Sequence, residues 1–204
     1  MTDLLLQGLV TFFTFCIVAI TIQNSVFARA LSISRLLTLV DETTNTWVFG
    51  LLLGCVSVIG GALNYYANGL LVRLTANPGW FRPLVMMLCM SAAYLLVFAV
   101  AVKFAPVDKI QRAVDALPAA TFNCTVIGTL LLTVSMQYDL FETVCYCIGT
   151  AIGYVFAVTL VTEGQRKIQT THTPIAFRGL PVTLLYLAGL ALAVYGLTGY
   201  SFAF

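Results

Sequence analysis

Apolar residues dominate this chain in long runs that polar residues interrupt only briefly. Six runs approach the roughly 17–25 residues that a bilayer-spanning helix needs. They cover residues 4–27, 47–66, 84–102, 117–134, 144–161 and 180–197. The intervening segments are short, which leaves no room for a soluble domain. The pattern predicts an all-α integral membrane protein with six transmembrane helices, built as a single transmembrane domain over residues 1–204.

Two of the runs contain polar groups where a plain span would have none. In the first, apolar character continues past Arg29 to Val40, and a straight helix over 4–40 would measure roughly 55 Å. The hydrocarbon core is only ~30 Å thick. A break is therefore expected near Gln23-Asn24-Ser25, where irregular backbone must be covered by protein or line a cavity. Ser32-Ile33-Ser34 adds a second polar interruption. In the fourth run, Leu117-Pro118-Ala119-Ala120-Thr121-Phe122-Asn123-Cys124-Thr125-Val126-Ile127-Gly128 places a proline, an amide and a thiol in an apolar setting. Proline begins or bends helices. Buried polar groups in a membrane usually face protein, a cavity or a cofactor.

Three spans per half would make the halves enter the membrane with opposite orientation. Residues 1–102 and 103–204 are thus expected to form two inverted three-helix repeats with interrupted helices near the midplane. Such repeats commonly build a site from broken helices of both halves.

Composition agrees with the membrane reading. The 204 residues are 60% hydrophobic and 9% charged, with a net charge of +2. Soluble domains carry about 25% charged residues. So small a net charge gives no reason to expect a nucleic-acid partner. Lys and Arg cluster in loops on one expected side: Arg29, Arg35, Lys103, Lys109, Arg112, Arg166, Lys167 and Arg178. Only Arg73 and Arg82 fall on the other. The positive-inside rule makes the crowded side cytoplasmic and both termini outer. The opening run has Asp3 and no basic leader, and is read as a retained span.

Few side chains suggest chemistry. His172, the only histidine, reads as a solvated loop residue. Cys145 and Cys147 lie two apart on a helix and do not face each other, so packing is their better reading. Free cysteines in apolar surroundings behave as small hydrophobes, and no disulfide framework is expected. Cys124, beside Asn123, is the candidate functional thiol. Arg29 either snorkels to the cytoplasmic interface or pairs with a carbonyl or a partner's carboxylate. Glycines four apart, Gly50 and Gly54, then Gly149 and Gly153, predict close helix packing.

The stretch from Leu117-Pro118 through Asn123-Cys124 to Gly128 resembles the RnfA/NqrE family of membrane proteins. These belong to the Rnf electron-transport complex and to the sodium-pumping NADH:quinone reductase (Nqr). Pro174-Ile175-Ala176-Phe177-Arg178-Gly179, before the last span, carries the resemblance too. Gln23-Asn24 followed by Arg29 and Leu31, and Gly149-Thr150-Ala151-Ile152-Gly153, support it. The resemblance implies a component of an ion-translocating ferredoxin:NAD⁺ oxidoreductase in the bacterial plasma membrane. It implies an inverted sister subunit (of the RnfE type), other Rnf complex subunits and membrane lipid as partners. It also implies a two-iron, two-sulfur (2Fe-2S) cluster shared between the sisters, each giving two cysteines. Cys124 matches one of these cysteines, with Asn123 before it. Ser34 stands where the other is expected, and a serine oxygen is a harder, poorer ligand than a thiolate. Cys55, or Cys16 if the first segment folds back, are the thiols that remain to be considered. A cluster-less scaffold or ion-path role in the same kind of complex is the alternative, and a small-solute transporter a third reading. The scarcity of intramembrane acids disfavours a proton-coupled transporter acting alone.

Overall fold

The computed structural model describes residues 2–41, 46–74, 78–104, 107–170 and 179–198. Regular structure among them is entirely helical: α1 (Thr2–Ile20), α2 (Ile33–Asp41), α3 (Thr46–Leu74), α4 (Pro78–Phe104), α5 (Val107–Thr121), α6 (Cys124–Ser135), α7 (Leu140–Thr170) and α8 (Leu180–Thr198). Three stretches are long and apolar enough to cross a membrane: Thr46–Leu74, Gly79–Lys103 and Leu140–Ile168. Val114–Thr121 and Cys124–Ser135 qualify jointly as a span bent by 44°, and Leu6–Ile20 and Leu180–Gly196 are shorter apolar helices. Each of the six overlaps one of the six expected runs. His172 and the segment from Pro174 to Arg178 lie outside the described residues.

The interior is organised around α7. Its apolar window is 61% buried, against 28% for that of α4. Large apolar side chains such as Leu6, Phe13, Leu88 and Leu192 instead face outward, as lipid or neighbouring proteins allow. Glycines set the approach to α7, as expected. A methyl at Gly54 would meet Ala151 Cβ at 3.2 Å, and one at Gly61 would meet Cys147 Sγ at 3.0 Å, while Gly50 abuts Val155. As α3 advances, its partners on α7 recede in number, so these helices run antiparallel. On the other side of α7, Gly149 faces Cys16 and Ala19, and Gly153 faces Ala19 and Ile20. Helix α1 therefore runs parallel to α7.

Both expected interruptions are present. Helix α1 stops at Ile20, and residues 21–32 form successive turns before α2. Asn24 makes this possible. It is 1% exposed, and its amide donates to the Ile20 carbonyl (2.8 Å) and the Gly153 carbonyl (3.1 Å). Its oxygen accepts from the N–H groups of Val26 (2.9 Å) and Phe27 (3.3 Å). One side chain thus replaces backbone bonds that the broken helix forfeits, which is essential where water is excluded. The fourth span breaks at Phe122-Asn123. Pro118 is accommodated within α5, and the break comes after the Phe122 N–H closes onto the Pro118 carbonyl (2.9 Å).

Candidate half-site at the junction of the two interrupted spans

The two interruptions touch. Asn123 is the N-cap of α6 in an extended conformation, with its side-chain oxygen accepting from the Thr125 N–H at 3.2 Å. The same N–H also donates to Ser32 Oγ at 3.0 Å. Ser32 precedes α2, and its carbonyl accepts from the Leu36 N–H (2.9 Å). A residue at the start of one half-helix therefore caps the other. Leu31 reinforces the contact by packing on Gly128, where any larger residue would collide with it. Ala30 (φ 55°) and Ser32 (φ 59°) both occupy the left-handed region, a conformation non-glycine residues adopt at a cost. The tight turn is held by the bonds around it.

Cys124 is the first residue of α6 and Ser34 the second of α2. Both are exposed, whereas Asn123 is buried. Helix first turns carry unsatisfied N–H groups and partial positive charge, which favours anionic ligands. Around the junction lie buried polar atoms with no hydrogen-bond partner among the described residues: Asn123 Nδ2, Thr125 Oγ1, Ser25 Oγ and Tyr154 Oη. Tyr154 lies beside Asn123, with Arg35 nearby. The Arg35 guanidinium lies 5.5 Å from the centre of the Phe49 ring.

The other thiols are engaged elsewhere. Cys16 donates to the Cys145 carbonyl at 3.5 Å, on the α1–α7 contact. Cys147 is fully buried in α7, consistent with packing. Cys55 lines an apolar groove between α3 and α7 with Gly54, Ala151 and Ile152. Among the described residues, no three His, Cys, Asp or Glu side chains converge as metal ligands. Within this chain, the Ser32–Thr125 bond joins two half-helices whose first turns carry one thiol, Cys124, and one hydroxyl, Ser34. A thiol is a soft donor of the kind iron–sulfur clusters take, and a hydroxyl is a harder one.

Arg29 is exposed and within electrostatic range of Tyr138 and Tyr146. Its charge acts on the Tyr138 phenol, in the turn between α6 and α7. The turns after α1 fold the chain back before α2 begins. Sequence reasoning missed Thr125, Gly128 and Tyr154 as members of the junction. Thr125 and Gly128 fall inside the conspicuous 117–128 stretch, but nothing separates Tyr154 from other aromatics of an apolar run.

Comparison with known proteins finds relatives over most of the chain. The chain is 26% identical over 182 residues to the A component of the Na(+)-translocating ferredoxin:NAD(+) oxidoreductase complex of Acetobacterium woodii, covering 89% of this chain and 93% of that protein. It is 25% identical over 181 residues to the A component of the ion-translocating oxidoreductase complex of Syntrophotalea carbinolica, covering 89% and 93%. The corresponding protein of Shewanella sediminis is 27% identical over 151 residues, covering 71% and 74%. The model of the family described as "Rnf-Nqr subunit, membrane protein" matches residues 12–201, and the chain belongs to that family.

Proposed function

We propose that this chain is a membrane subunit of an Rnf-type ion-translocating electron-transport complex. In this reading its junction forms half of a 2Fe-2S site completed by an inverted sister subunit. The observation that carries the proposal is the pairing of the two interrupted spans through Ser32 and Thr125. It brings the exposed thiol of Cys124 and the half-helix that carries Ser34 in its first turn to one place. A cluster bound there would supply one-electron transfer. Cys124 would ligate it, and Ser34 would offer an oxygen or a hydrogen bond, with Asn123 capping the half-helix that carries the thiol. The two halves, 1–102 and 103–204, are read as inverted repeats. The complex is assigned to the bacterial plasma membrane, with both termini of this chain on the outer face.

The test is made on the complex purified with its native partners, by measuring iron, acid-labile sulfide and the reduced-state EPR signal. A two-iron signal that disappears in Cys124→Ser, and changes in shape in Ser34→Cys, is the expected result. Unchanged iron and an unchanged signal in Cys124→Ser remove Cys124 from the ligand set. The serine at position 34 favours a second reading, a cluster-less scaffold or ion-path role. That reading stands if the assembled complex carries no iron dependent on this chain.

A further inference from the structure

The ends of α3, α4, α6 and α7 enclose a second feature, independent of the iron–sulfur reading. On the face that carries the 136–139 turn lies a polar cavity of about 600 Å³, lined by Tyr65, Asn68, Arg73, Arg82, Tyr138 and Asp139 among others. Two guanidinium groups meet one carboxylate, so its lining is net cationic. Neither arginine forms an ion pair with another described residue. Arg82 Nε and Asn68 Oδ1 are buried without a hydrogen-bond partner. A donor on a cation and an acceptor, both withheld from water, call for a ligand that satisfies them.

Depth indicates where that ligand comes from. The apolar part of α3, residues 47–66, is long enough to fill the hydrocarbon core. Asn68 and Arg73 then fall in the next two turns, at headgroup level. Exposed aromatic residues surround the position: Trp80 is 88% and Tyr66 66% exposed. Trp and Tyr concentrate at this depth because their rings are partly apolar and partly polar.

We propose that this cavity binds the phosphodiester headgroup of a membrane lipid. Arg73 and Arg82 grip the phosphate, since the guanidinium fork matches its oxygens. Asn68 Oδ1 and Asp139 accept from the hydroxyls of a polyol headgroup such as phosphatidylglycerol.

The test uses the intact complex after delipidation in detergent and exposure to phosphatidylglycerol. Native mass spectrometry should show retained phosphatidylglycerol on wild type. Retention should fall by about five-fold per arginine in Arg73→Gln and Arg82→Gln, the worth of one basic residue at an anionic lipid surface. Arg166→Gln, on an exposed residue near the far end of α7, should retain the wild-type amount. If the Arg82 variant fails to assemble, the exposed Arg73 variant alone decides the matter. Short-chain phosphatidylglycerol should raise the melting temperature of the delipidated complex, and inorganic phosphate at the same concentration should not. Equal lipid retention in wild type and Arg73→Gln overturns the proposal. So does stabilisation by inorganic phosphate equal to that by lipid, which makes the cavity a free-anion site.

Discussion

Ser32 Oγ accepts the backbone N–H of Thr125 at 3.0 Å, across 93 positions of sequence. This bond fastens the interruption of the first span to that of the fourth. Two effects meet at Ser32, a buried hydrogen bond and a left-handed backbone (φ 59°). Ser32→Ala loses the bond and keeps the strain, and should cost about 1–2 kcal/mol. Ser32→Gly loses the same bond but adopts the left-handed region freely, so its cost should be smaller by roughly 0.5–1 kcal/mol. Thermal unfolding of the purified complex separates the two. Equal losses would show that the backbone at Ser32 stores no strain.

Asn24 carries more of the fold than any other polar side chain in the first interruption. Removing its amide in Asn24→Ala leaves two N–H groups and the Ile20 and Gly153 carbonyls without this partner. Unsatisfied buried groups cost about 1–3 kcal/mol each, and neighbours sharing one partner do not add fully. A loss of about 2–3 kcal/mol is expected. Asn24→Asp keeps the acceptor but loses both donated bonds and buries a carboxylate, and should be no more stable than the alanine variant at neutral pH. Amide hydrogen exchange at Val26 and Phe27 reports the same loss locally. Unchanged protection there in Asn24→Ala would mean that other groups hold the turn.

The sequence announced some of this architecture and concealed the rest for physical reasons. Gln23-Asn24-Ser25 stood out because polar side chains within an apolar run require partners. The break at Phe122-Asn123 did not locate itself in the same way. Hydrophobicity continues through residues 117–134, so α5 and α6 read as one span with a polar blemish. Periodicity within each run says nothing about which two runs meet, so the Ser32–Thr125 bond was invisible. Cys124 and Asn123 were legible as candidates through their chemistry. Tyr154 was not, because a tyrosine facing lipid and one beside Asn123 look alike in sequence. Arg29 and Arg35 fall in one short loop of the sequence, yet the first acts on the Tyr138 phenol and the second lies over the Phe49 ring.

Tyr138 gives a prediction in pH. Burial raises its phenol above the usual value of 10.0, the Glu142 carboxylate raises it further, and Arg29 opposes both. The neutral phenol is therefore favoured by folding. Its contribution is complete below the unfolded value and is lost as pH rises through the higher folded value. Tyr138→Phe keeps the edge-on packing against Phe15, with ring centroids 5.0 Å apart, and removes the titration. Stability of wild type should track that of Tyr138→Phe at neutral pH and fall relative to it above about pH 10. Parallel stability curves across the alkaline range would show that the phenol titrates alike in both states.

Two glycines at opposite ends of α1's surroundings should differ sharply in their tolerance of a methyl group. At Gly149 of α7, a new Cβ would lie 2.8 Å from Ala19 Cβ and 2.9 Å from Cys16 Cα. The second obstacle is backbone, which no rotamer change relieves, so α1 must retreat from α7. Overpacking of this kind costs about 1–3 kcal/mol. The retreat would also stretch the Asn24–Gly153 hydrogen bond, since Asn24 follows α1 directly. At Gly8 nothing lies within 4 Å of the added atom, and alanine is the better helix former by up to about 1 kcal/mol. Gly149→Ala should therefore lower the melting temperature of the complex and loosen exchange protection at Val26, while Gly8→Ala leaves both unchanged or slightly raises the first. A Gly149→Ala protein with wild-type melting and wild-type protection at Val26 would show that α1 does not pack on α7 at this register.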